Sequence, residues 1–254
     1  MKSKLLKNAL TGLFGLIISA GVQAVPIVGG VGTVAATPAL DFSAFDGEHA
    51  GILTVDGFQF GERFVGQTVS PQVGPSVILM PWGLIDPEHD TVTTASTGNP
   101  LALASAGTGI GPNNIGVIGA ANAVFGYGPD KYGLYGVGAL SILFPDNLFE
   151  IGFDIIGAAG GSDTLFFQFF EADGQLIGDK LVMDALNGSY GFKTDHSYTG
   201  PGIRGMTVFN QDTGGLALVF PKQTVPTPAT LLLLIGGLGL MMIFRLRGRE
   251  ARVF

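Results

Sequence analysis

The sequence predicts an all-β fold, a β-sandwich or jelly-roll-like body, and three observations carry that reading. No window between residues 25 and 224 keeps apolar residues at the three-and-four spacing of a buried helix face. Short apolar runs alternate there with clusters of Gly, Asn, Asp and Pro, the punctuation of strands and tight turns. The 254 residues include 41 Gly, 14 Pro and 19 Phe, so turn formers and bulky core residues are both plentiful. Neither Gly nor Pro follows a collagen period, and so many Phe exclude a disordered chain.

The first 24 residues read as a secretory signal peptide. Lys2, Lys4 and Lys7 make the positive start, residues 9–20 are a short apolar stretch, and Val22-Gln23-Ala24 offers small residues for cleavage before Val25. Signal peptidase is the partner this implies. The stretch is too short and Gly-rich for a membrane anchor.

The body, 25–224, follows. In its first half strands are expected at 39–45, 51–60, 77–80, 115–118, 123–127 and 134–137. Between 91 and 114 a Thr-, Ser-, Gly-, Ala- and Asn-rich stretch with few apolar anchors is expected to be a surface loop or mobile lid. The second half is more regular, with strands expected at 140–144, 149–156, 164–171, 175–182, 191–194, 203–210 and 216–220. Asp173-Gly174 marks a hairpin, because Gly supplies the positive φ of such a turn. Leu165, Phe167 and Phe169 define one apolar face; Phe166 and Phe170 flank Gln168 on the other. That strand should be covered on both sides.

At the far end, Val225-Pro226-Thr227-Pro228 stops any strand, since Pro lacks an N–H and restricts its predecessor. Residues 229–244 are uncharged and mostly apolar, and Arg245, Arg247, Arg249 and Arg252 close the chain. As a helix those sixteen residues span ~24 Å, short of a ~30 Å hydrocarbon core by an amount that snorkelling arginines bridge. The arginines hold their end in the cytoplasm and put the body outside, as the signal peptide does. Val225-Pro226-Thr227-Pro228-Ala229-Thr230, the apolar helix and the basic tail resemble a PEP-CTERM sorting signal. Thr227 stands where that family has its Glu. The resemblance implies a Gram-negative precursor, inserted in the inner membrane through 229–244 and processed by an exosortase. It also implies a mature form at the cell surface or secreted, associated with extracellular polysaccharide. The later half of the body is similar to the β-sandwich bodies such proteins carry.

The absence of Cys removes disulfides, thiolate metal sites and cysteine nucleophiles. Segment 25–224 holds six basic and nineteen acidic residues, a formal charge of −13, which repels nucleic acid and anionic polymers. No Gly-x-Ser-x-Gly or His-Glu-x-x-His motif occurs, and His49, His89 and His196 read as loop or surface residues. Asp86, Glu88 and Asp90, around the stiffening Pro87, are the candidate ligands for a hard cation such as calcium. Trp82, Tyr127, Tyr132 and Tyr135 are the candidate sugar-stacking rings, the three Tyr bracketing a Gly-Pro-Asp-Lys turn. A non-enzymatic surface or matrix protein is the expected function. The alternatives are a secreted polysaccharide-acting enzyme and a permanently anchored periplasmic domain.

Overall fold

A computed structural model describes residues 26–73, 78–80, 83–85, 88–93, 95–96, 98–104, 113–127, 135–157, 164–210 and 215–221. The expected signal peptide, and the sorting segment with its helix, proline motif and arginines, lie outside these residues. Among the described residues there is no α-helix, only a 3-10 turn at Gly119–Ala121, and no helix long and apolar enough to cross a membrane.

The strands run in chain order as β1 (Ile27–Val31), β2 (Gly47–Ala50), β3 (Leu53–Val55), β4 (Phe58–Gly61), β5 (Val69–Val73), β6 (Ile78–Met80), β7 (Gly83–Ile85), β8 (Glu88–Val92) and β9 (Asn113–Ile118). After the 3-10 turn come β10 (Ala123–Tyr127), β11 (Tyr135–Gly138), β12 (Leu140–Leu148), β13 (Glu150–Ile156), β14 (Thr164–Phe170), β15 (Leu181–Asp184), β16 (Gly188–Thr194), β17 (Ile203–Asn210) and β18 (Ala217–Val219). An antiparallel eight-stranded sheet has the order β1-β16-β13-β18-β10-β9-β2, with β11 added to β10. A six-stranded antiparallel sheet has the order β15-β14-β17-β12-β4-β3. Two short ribbons, β5 with β8 and β6 with β7, complete the strands.

The two large sheets face each other across one core. Phe167 and Phe169 of β14 meet Phe192 of β16 at ring separations of 4.7 and 5.0 Å, and Phe153 of β13 lies 6.2 Å from Phe167. Period-two alternation supplies these residues: Phe153 and Phe192 point inward from one sheet, and Leu165, Phe167 and Phe169 from the other.

Strand β14 is covered on both faces, as its sequence predicts. Phe166 packs with Phe209, Val69, Val92 and Ala139, and Phe170 packs with Phe64, Leu101 and Leu103. The covering residues come largely from 62–69, 92–93 and 98–104, which lie on the outer face of the six-stranded sheet. Beneath that cover lies a row of polar residues. Ser141, Thr207 and Gln168 are register neighbours across β12, β17 and β14, and all three are fully buried. Gln67 closes the row: its Nε2 donates to Gln168 Oε1 at 2.9 Å, and its Oε1 accepts from the Phe64 N–H and the Thr207 hydroxyl.

Four expectations need correcting. Residues 39–45 form no strand. Leu40 and Phe42 are buried, but their backbone groups bond the side chain of Asn122 instead of a neighbouring strand. Residues 51–60 are not one strand but the hairpin β3–β4, turned by Asp56-Gly57 at φ +50° and +84°, the double positive φ of a type I′ turn. The Asp173-Gly174 turn forms, with Asp173 Oδ1 accepting from Gln175 N–H, yet 175–182 is not a strand. Leu176 bridges Phe170, Gly178 at φ +70° breaks the ladder, and β15 resumes only at Leu181. Within 91–114, the described residues 98–104 form a packed cover: Leu101 and Leu103 are buried, and the Leu101 N–H donates to Ala172 O at 2.7 Å. Glu88 and Asp90, the expected cation ligands, stand in the β5–β8 ladder, paired with Val73 and Pro71.

On the eight-stranded sheet one glycine pair permits a close crossing. A Cβ at Gly191 would overlap the Thr33 carbonyl, and the neighbouring Gly152 N–H donates to Ala36 O at 2.7 Å. Residues 33–36 thus lie against β13 and β16 backbone to backbone, leaving the β18–β10–β9–β2 part of that face to other residues.

Candidate functional site

That part of the outer face is built from β2, β9, β10 and β18. Alternation puts Val124 in the core and turns Ala123, Phe125 and Tyr127 outward. In β9 it sends Ile115 and Val117 inward and leaves Gly116 and Ile118 outside. Gly116 is paired with Phe125 on one side and Glu48 on the other. A Cβ at Gly116 would overlap the Phe125 ring, so this glycine is the seat on which the ring lies. Tyr127 stands 5.8 Å from Phe125, tilted 31° to it, and its hydroxyl donates to Glu48 Oε1 at 2.5 Å.

These residues enclose an open cavity of about 270 Å³ lined by Asp46, Gly47, Glu48, Val117, Ile118, Phe125 and Tyr127. Asp46 is fixed by the 3-10 turn, its Oδ1 accepting from Gly119 N–H at 2.7 Å. A second cavity of about 140 Å³ adjoins it, sharing Ile118 and Phe125 and reaching Ile156, Gly157, Gly215, Leu216 and Ala217. Together they form a trough with carboxylates at one end and aliphatic side chains at the other, in which Tyr127 is the partly exposed ring and Phe125 beneath it is buried at 4% exposure. Such a surface suits a ligand that offers both hydroxyl donors and an apolar face.

Of the four sequence-predicted rings, Tyr127 lines the trough. Tyr135 is brought opposite Tyr127 by the β10–β11 register. Trp82 and Tyr132 lie outside the described residues, as does Asp86. Glu88 and Asp90 are placed only by their backbone in β8, and among the described residues no group of three or more His, Asp or Glu is positioned for a metal. The processing residues Val225, Pro226, Thr227, Pro228, Arg245 and Arg247 also lie outside. Sequence reasoning missed Asp46, Glu48, Ile118 and Phe125. The outward alternation Ala123, Phe125, Tyr127 was a readable signal; the pairing of Gly116 with both Phe125 and Glu48 was not, because it depends on three strands meeting in register.

The other polar features are committed elsewhere. His49 Nε2 lies 2.5 Å from Phe45 O, and His196 is almost fully exposed beside Asp195. Hydrogen bonds from Ser197 hold the Asp195 carboxyl below its usual range. Burial raises the phenol of Tyr190. Burial, and then donation to Glu171 Oε1 at 2.7 Å, raises that of Tyr198. None of these groups lines the trough. No family model, curated protein or solved structure matches the chain.

Proposed function

We propose that this is a non-enzymatic exported protein, delivered by exosortase-type sorting, whose β-sandwich of jelly-roll type binds neutral extracellular polysaccharide in the trough between β2 and β18. One observation carries the binding reading: Tyr127, partly exposed and bonded to Glu48, lines an open cavity that also carries Asp46 and Glu48. Ring faces stack on the C–H faces of sugars, and carboxylate oxygens accept from sugar hydroxyls. The ligand is neutral because Asp46 and Glu48 repel anionic sugars, as does a body of formal charge −13. The delivery reading rests on the sequence at the two ends. Intact mass of the exported protein tests it: a form running from Val25 to the 226–228 region supports sorting, and retention of 229–254 makes the chain an anchored periplasmic domain.

Titration of the full chain, held in mild detergent, with neutral tetrasaccharides tests binding. Saturable binding that Tyr127→Ala weakens by roughly ten-fold, unchanged by chelator, supports stacking. Binding abolished by chelator and indifferent to Tyr127 would move recognition to a cation bridge, for which Asp86, Glu88 and Asp90 are the candidate calcium ligands. Hydrolysis is the second reading, because Asp46 and Glu48 line the same cavity as paired carboxylates must in a glycosidase. Release of reducing ends, lost in Glu48→Gln, would establish it.

A further inference from the structure

The two cavities of the trough are chemically unlike, and their difference specifies the ligand further. This inference rests on the polysaccharide reading above. The larger cavity has two carboxylates and a phenol at its rim. The smaller is lined by Ile118, Phe125, Ile156, Leu216 and Ala217, with Gly157 and Gly215 at its end. Gly157 sits at φ +92° and a Cβ there would overlap the Gly215 carbonyl, so two glycine backbones touch and contribute no side chain. Ile118 and Ile156 remain 42% and 39% exposed, which leaves aliphatic surface in water until something covers it.

From Glu48 on β2 to Ile156 on β13 the order of strands is β2-β9-β10-β18-β13. Four steps of ~4.8 Å make ~19 Å, the reach of a short oligosaccharide and more than a single ring. A fully hydroxylated sugar chain lying along this line would press hydroxyls against Ile118, Ile156 and Ala217. Those hydroxyls would leave water without gaining a partner, which opposes binding. A methyl group in the same place would cover the aliphatic surface and need no partner.

We propose that the trough selects neutral glycans bearing methyl groups, carried as acetyl esters, acetamides or 6-deoxy carbons, with the methyl in the cavity between Ile118 and Ile156. The polar end accepts from hydroxyls of an adjoining unit through Glu48 and Asp46. A protein loop or a second copy of this chain is disfavoured at the same trough, since apolar docking would strip water from the carboxylates exposed at its rim.

The test titrates the full chain, in mild detergent, with chitotetraose, cellotetraose, partly O-acetylated xylotetraose with its alkali-deacetylated form, and a fucosylated tetrasaccharide with its galactosylated counterpart. The expected result is an affinity roughly ten-fold higher for at least one methyl-bearing ligand than for its bare counterpart, the scale of one methyl in an apolar pocket. Which arm shows the gain identifies the carrier of the methyl. Ile156→Ser and Ile118→Ser are expected to erase that preference, and Glu48→Gln to lower affinity for every ligand bound. Equal affinities for every methyl-bearing ligand and its bare counterpart would overturn this inference and leave the polysaccharide reading standing. No binding by any sugar would overturn both. Self-association removed by Ile156→Ser would overturn it too, by placing a second copy in the trough.

Discussion

On the six-stranded sheet the outward residues of β12, β14 and β17 lie beneath residues 62–69, 92–93 and 98–104, and Phe166, Phe170, Gln168 and Thr207 are all buried there. On the eight-stranded sheet the outward residues between β2 and β18 keep two adjoining cavities and two partly exposed isoleucines. The first face carries its polar atoms inside, tied to the cover through Gln67 and through the bond from the Ser141 hydroxyl to Glu62 O. The second carries them on the rim, in water, where a ligand can reach them. Burial makes polar groups costly to disturb, whereas exposure makes them available. On the proposal that the open face binds glycan, stability and recognition lie on opposite sides of one core.

Substitutions on the two faces should separate in the same way. Gln67→Ala removes the partner of Gln168, Thr207 and the Phe64 N–H at once. It should cost about 3 kcal/mol, a fall of roughly 6–12 °C in melting temperature for a body of this size, measured by calorimetry. Gln168→Met is the control. Among the described residues Gln168 Nε2 is buried without a hydrogen-bond partner, so replacing the amide removes that penalty along with one bond, and the change should stay within about 1 kcal/mol. A loss as large as that of Gln67→Ala would break the account of the polar row.

Gly116→Ala comes next. The added methyl displaces the Phe125 ring and should cost about 1–3 kcal/mol, while lowering glycan affinity more than any other single change in β9. Tyr127→Phe should leave thermal stability within about 0.5 kcal/mol, because its bond to Glu48 is at the exposed rim. Sugar affinity in a titration should nonetheless fall. Equal effects of this change on stability and affinity would erase the distinction between the two faces.

The smallest effect concerns pH. The Tyr190 and Tyr198 phenols are raised in the folded chain, chiefly by burial. Their contribution is complete below the unfolded phenol value of about 10, and is lost as pH rises from there through the folded values. Melting temperature should therefore be flat from neutral to mildly alkaline pH and decline above about pH 10. Tyr198→Phe should flatten part of that decline. A decline beginning near neutrality would contradict the assignment.

Legibility in the sequence followed the same divide. β14 was readable because Leu165, Phe167 and Phe169 alternate with other large apolar residues around one Gln. Residues 203–210 and 123–127 were readable from local pattern, and their bounds match the strands found. The hairpin at Asp56-Gly57 carried the same turn signal as Asp173-Gly174, so its omission was a failure to weigh the dipeptide. The packed state of 98–104 was not readable: two leucines in a polar stretch become anchors only when Phe64 and Phe170 are brought beneath them. The trough was half readable. Tyr127 stood out as an aromatic beside a turn, but Glu48 lies 79 residues away in the chain and reaches it only through the order β2-β9-β10.

The central claim is that recognition belongs to the open face and stability to the covered one. Hydrogen exchange of the full chain, with and without a bound neutral tetrasaccharide, tests it most directly. The account predicts added protection at residues 46–48, 116–118 and 125–127, with the amides of 62–68 and 98–104 unchanged. Protection confined to 62–68 and 98–104 would contradict it, by placing the ligand beneath the cover.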